Sequence, residues 1–173
     1  FSNACILCEY PTMTNGYELT DLGTDAALLN GYWEAQRGDR AMPRRAAVDD
    51  LDLPAKLWPR FILQGVYYEP LRLYYRVVGT AVAEMVGVDW TGRYLDELTV
   101  ATPSVGVQNM ETIEQRKPTR HVFNFCRADP EIDEIRELRF ERVLFPLSDD
   151  GARVTHLFGA VFPRIAMERI EGS

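Results

Sequence analysis

Two long apolar runs flank Ser148-Asp149-Asp150-Gly151 in the last third of the chain. An Asp-Gly pair supplies the positive φ that a tight antiparallel turn needs. The runs Ile135–Leu147 and Val154–Ile165 are therefore predicted to form a hairpin. Its apolar side chains fall on both faces. Val143, Phe145 and Leu147 share one face of the outgoing strand, and Leu138, Phe140 and Leu144 share the other. In the return strand Val154, Phe158 and Phe162 alternate with Leu157 and Val161. A sheet wetted on one side would alternate apolar and polar residues. This one must be covered twice. Helices elsewhere in the chain can cover one face. An N-terminal helix or a second copy of the chain must cover the other.

The rest of the chain supplies matching elements. Leu22, Ala26, Leu29 and Trp33 fall on one helical face, with Asp21 or Thr24 as the cap and Gly38 just past the end. Residues 39–60 form a connection with Pro43, Pro54 and Pro59, and a helical turn fits Pro54–Trp58. Phe61–Tyr68 and Leu71–Val78 read as a second hairpin around Glu69-Pro70. Thr80 through Val86 is a short helix ended by Gly87, and Gly92–Leu98 is a further turn. Thr102-Pro103 opens a helix to about Gln115 that should bury Val107, Met110 and Ile113. His121–Arg127 is a short strand. Two strands, several short helices and three more strands define an α+β domain on one five-stranded antiparallel sheet.

Composition narrows the function. The 173 residues suit one domain, expected over residues 21–170. Residues 1–20 read as an irregular lead-in whose first four residues, Phe1-Ser2-Asn3-Ala4, resemble a cleavage scar from recombinant expression. The net charge is −7, and no Lys/Arg block is present, which disfavours nucleic acid and anionic membrane surfaces as partners. No apolar run approaches the ~20 residues of a membrane span. Three cysteines are too few for a disulfide framework, so a reducing cytoplasm is expected.

An ordered set of short motifs carries a resemblance. It runs from Tyr32-Trp33 through Arg37-Gly38, Met42-Pro43, Arg45, Val48-Asp49 and Leu53-Pro54. It is densest at Tyr75-Arg76-Val77-Val78-Gly79-Thr80, continues at Gly87, Asp89, Thr91-Gly92 and Leu95, and closes on Arg142 through Gly151. Over roughly residues 28–162 the chain resembles the single-domain PAS proteins of bacteria, a divergent branch of the PAS sensors. It departs from them at Asp50, where that family often places a proline. The resemblance implies sheet order 2-1-5-4-3, short helices forming a pocket over one face, and sensing in place of catalysis. It names no ligand or cofactor, because PAS pockets hold haem, flavin, small carboxylates, lipids or nothing.

Cys5-Ile6-Leu7-Cys8 lacks the second ligand pair of a zinc site, and no metal is expected. His121 and His156 are the only histidines, and His156 sits where it can face a pocket. Asn124-Phe125-Cys126-Arg127 imitates a flavin-attachment motif, but in a strand context. Arg142, between Phe140 and Leu144 on an apolar face, must be paired, and its planar fork suits either a ligand carboxylate or a structural acceptor. Arg76 is expected to anchor the connection near Asp49. Glu137 and Glu141 read as a solvated strand face. No catalytic constellation stands out.

These readings converge on a cytoplasmic sensor module that is not an enzyme. It would bind a small ligand, a signalling partner protein or both, and transmit by rearranging a homodimer or its N-terminal helix. Strand alternation places Leu73, Tyr75, Val77, Met85, Tyr94, Phe123, Phe140, Arg142, His156 and Phe158 around the pocket, with Leu29 and Trp33 at the interface. Two rivals remain. A pocket-bearing α+β enzyme of isomerase type would place a desolvated carboxylate or His156 at the base of a cavity. A ligand-free dimerisation module would have a filled core and a large apolar interface.

Overall fold

A computed structural model describes residues 23–98, 103–129 and 134–164. The Cys5/Cys8 pair and the expected cap Asp21 lie outside the described residues. Helix α1 spans Thr24–Arg37 and starts from Gly23 without a side-chain cap. Three 3-10 turns follow, the last at Ala55–Arg60. Strands β1 (Phe61–Tyr67) and β2 (Arg72–Val78) form the first hairpin. Helix α2 (Thr80–Val86) ends on Gly87 at φ 90°. After helix α3 (Pro103–Gln115) come β3 (Thr119–Asp129), β4 (Glu134–Leu147) and β5 (His156–Arg164).

The five strands form one antiparallel sheet in the order β2-β1-β5-β4-β3. β5 starts two residues later than the sequence predicts. The Asp150 carboxylate accepts the backbone N–H groups of Ala152 and Arg153, which lengthens the turn beyond the Asp-Gly pair. Pairing resumes where Thr155 N–H donates to the Leu147 carbonyl.

Both sheet faces are covered, and by the chain itself. On one face Phe61, Phe145 and Phe158 stack together, at ring separations of 6.1 Å (Phe61–Phe158) and 5.1 Å (Phe145–Phe158). α1 closes over them through Leu29 and Trp33. Trp33 packs 6.4 Å from Phe145, and its indole N–H donates to the Pro146 carbonyl at 2.8 Å. Several residues of the family-like motif tie this segment down. Tyr32 bonds both backbone groups of Asp49, Arg40 donates to the Met42 and Ser148 carbonyls, and Arg45 N–H donates to the Asp149 carboxylate. The opposite face carries Ile62, Gln64, Phe140, Arg142 and Val161, in register across β1, β4 and β5. α2 and α3 lie over it.

α3 corrects one expectation. Val107 is 53% exposed and Met110 half-buried; Ile113 is buried as expected, and the helix buries Val105, Gln108, Asn109 and Thr112 beside it. Its packed face is largely polar because the sheet beneath it offers polar partners. Gln108 Nε2 donates to the Arg142 carbonyl at 3.0 Å and to the Thr119 hydroxyl at 3.3 Å. The hydroxyls of Thr112 and Thr119 meet at 2.6 Å. Glu141 corrects another: it is buried and ion-paired with Arg120, not solvated. The side chain of Glu137 lies outside the described residues.

Candidate functional site

Between the sheet and α2 lies a cavity of about 40 Å³. α2 contributes Val82, Met85 and Val86, α3 contributes Val105, and Trp90 closes one side. The sheet floor is Ile62, Tyr75, Val78, Phe140, Val161 and Arg142. Trp90 stands 5.4 Å from the Tyr75 ring. The wall is largely apolar and contains one cation.

That cation is buried, with Arg142 only 3% exposed. Its guanidinium donates to three neutral oxygens: Asn109 Oδ1 at 2.8 Å, Gln64 Oε1 at 3.3 Å and the Val105 carbonyl at 3.3 Å. Asn109 and Gln64 share one nitrogen, Nη2. Among the described residues no carboxylate pairs with it. Burial pushes its pKa down, and the nearby Tyr75 works weakly against that. Arginine stays charged under any such shift at neutral pH. Burial pushes the Tyr75 phenol up, so this ring carries no neutralising charge.

The structure gathers Tyr75, Met85, Phe140 and Arg142 of the sequence-predicted pocket residues around the cavity. Leu73 and Phe123 are buried, and pairing puts them on the same face of the sheet, Phe123 with its ring 5.2 Å from Phe140. Four others lie elsewhere. Val77 is 38% exposed, because β2 carries a bulge. Val77 pairs with Leu63 and Tyr75 with Gln64, so Arg76 is an extra residue between them. One inserted residue reverses the alternation beyond it, and Val78 faces the cavity instead. Arg76 itself donates to the Tyr67 hydroxyl at 2.8 Å and not toward Asp49. Phe158 stacks beneath α1, on the face away from the cavity. Tyr94 belongs to an outer cluster with Tyr67 and Tyr74, where Arg72 lies 3.7 Å over its ring and pairs with Asp96. Leu29 and Trp33 are core residues of the chain itself, and the outward side of α1 presents Leu28.

His156 is also off the cavity. It sits beside Thr155, 3.9 Å from the Asp149 carboxylate, at the β4–β5 turn. Burial lowers its pKa, with Asp149 partly opposing. The unfolded chain protonates this histidine near the usual value of about 6.5, and the folded chain does so only at lower pH. Below that usual value the unfolded state binds more protons, so stability falls with pH. His156 thus contributes stability above pH ~6.5 that is lost as pH drops through its folded pKa. Urea midpoints at pH 7.5 and 5.5 should show this loss, and His156→Gln should reduce it. An identical loss in the variant would disprove the assignment.

Sequence reasoning missed Gln64, Trp90, Val105 and Asn109. Gln64 was legible as the lone polar residue in the buried run Phe61-Ile62-Leu63-Gln64. Val105, Asn109 and Thr112 have helical spacing, but an apolar-face criterion passes over two polar members. Cys126 lies on β3, in line with its strand context, and its side chain is outside the described residues. Among the described residues no cluster of His, Cys, Asp and Glu is arranged to hold a metal. No described helix is long and apolar enough to cross a membrane.

A five-stranded antiparallel sheet of order 2-1-5-4-3, roofed by short helices on one face, is the architecture of PAS-like α+β domains. A PAS-domain family profile matches residues 24–162, and the chain belongs to that family. The match covers α1 as well as the sheet, so the N-terminal helix is part of the unit. A comparison with curated proteins returned no match.

Proposed function

We propose that this PAS domain is a non-catalytic sensor that takes a small molecule into the α2/α3 cavity and reports it to a partner protein. The observation that carries this reading is the cavity: an apolar chamber between sheet and helices, with one buried cation in its wall. The isomerase-like reading called for a carboxylate or His156 in such a chamber. The cavity wall offers neither among the described residues.

The mechanism is a population shift. The chamber in this conformation holds only a few heavy atoms. A ligand of greater size favours conformers in which α2 moves outward. α2 has seven residues and packs against the 3-10 turn Ala55–Arg60, which in turn meets β5. Displacement therefore reaches the α1 side of the sheet. A homodimer and a reducing cytoplasmic setting are part of this proposal, the latter supported by the three-cysteine count.

Native mass spectrometry should find a small molecule that is lost on denaturation. Its re-addition should slow hydrogen exchange in α2 and α3 before other elements. A bare native mass, with exchange unchanged by a small-molecule extract of the expression host, would reject the ligand-sensing reading.

A further inference from the structure

The polar groups around the cavity are unbalanced. Arg142 takes the oxygens of Gln64 and Asn109, which fixes the orientation of both amides. Their NH₂ groups are then buried without a partner. The indole N–H of Trp90, whose side chain lines the cavity, is likewise buried and unpaired. The cluster therefore combines a full positive charge with three surplus donor groups, and it includes no anion among the described residues. Burying a cation on neutral acceptors alone is costly. An anionic ligand in the cavity would meet the Arg142 charge and the Trp90 N–H together, since both side chains line it. That ligand must accept several hydrogen bonds at one end and be apolar and short at the other.

We infer that the cavity is a binding site for a short-chain monocarboxylate, held by Arg142. The inference rests on the small-molecule reading above and specifies its chemistry. A carboxylate offers two oxygens to a planar guanidinium, and charge-assisted bonds of this kind are stronger than neutral ones. The aliphatic tail would lie against Val82, Val86 and Val161. The 40 Å³ volume restricts it to a few carbons in this conformation.

Acetate and propionate are the probes, each paired with its neutral amide, titrated into the whole chain and followed by NMR. The carboxylate should bind about ten- to a hundredfold more tightly than its amide, as expected for hydrogen bonds to a charged group. Perturbed signals should centre on Arg142, Trp90 and α2. Asn109→Asp is the decisive variant. It places a carboxylate on Arg142 from within and should abolish the preference for carboxylate over amide. Arg142→Met should do the same if it folds. Equal binding of acid and amide would overturn the anion inference and leave a cavity for neutral molecules. Binding by neither would overturn the inference, while the parent reading would stand or fall on the native mass and the extract. Full carboxylate affinity in Asn109→Asp would place the site elsewhere and overturn the inference.

Discussion

Replacing Trp33 with alanine is expected to remove about 3–5 kcal/mol of stability, the usual cost of deleting a buried aromatic side chain. The ring is 3% exposed, packs on Phe145 and donates its N–H to the Pro146 carbonyl. Trp33→Ala loses the packing and leaves that carbonyl without its indole partner. Trp33→Phe keeps most of the apolar body and isolates the second effect, expected at about 1–3 kcal/mol. Leu28, 44% exposed on the outer side of the same helix, serves as the control: Leu28→Ala should stay within about 0.5 kcal/mol. Urea unfolding at two protein concentrations distinguishes a core role from an interface role. A Trp33→Ala midpoint that is low and independent of concentration fits a ring buried within its own chain. A stable variant whose oligomer falls apart would restore Trp33 to a dimer interface.

Gly159→Ala should be at least as damaging. β5 is the centre of the sheet and pairs with β1 on one side and β4 on the other. At Gly159 it approaches β4 so closely that a Cβ would land on the Val143 carbonyl oxygen and crowd the Leu144 backbone. Backbone on both sides cannot yield without loosening two ladders. A loss above about 4 kcal/mol, or no soluble protein, is expected. Gly31 in α1 provides the contrast, since a Cβ there meets nothing within 4 Å. Gly31→Ala should gain about 0.5–1 kcal/mol from helix propensity alone. Thermal and urea midpoints of the pair measure both effects. A Gly159→Ala chain as stable as wild type would mean that β5 has room to shift.

The consequences of these two substitutions differ in how far the sequence reveals them. That the region around Trp33 forms a helix with Leu29 and Trp33 on one face follows from residue spacing. That Gly159 admits no side chain follows only from where β4 runs.

The same division holds for the site. Spacing and turn chemistry sufficed for five strands, for the Asp150-Gly151 reversal and for the need to cover both faces of the last hairpin. Each of these depends on periods of two or 3.6 residues and on local φ preferences, which neighbouring residues express by themselves. The covering of the second face by α1 in the same chain was one of two options and became definite only in three dimensions. The bulge at Arg76, which turns Val77 outward, depends on the pairing of β2 with β1. The polar underside of α3 depends on Thr119 and the Arg142 carbonyl beneath it. Arg142 announced itself in the sequence as a buried charge needing a partner. Its partners come from positions 33, 37 and 78 residues away in the chain, a distance over which no periodic signal survives. Only the packing of α3 and β1 around β4 decided that they would all be neutral, and that the charge would face a cavity.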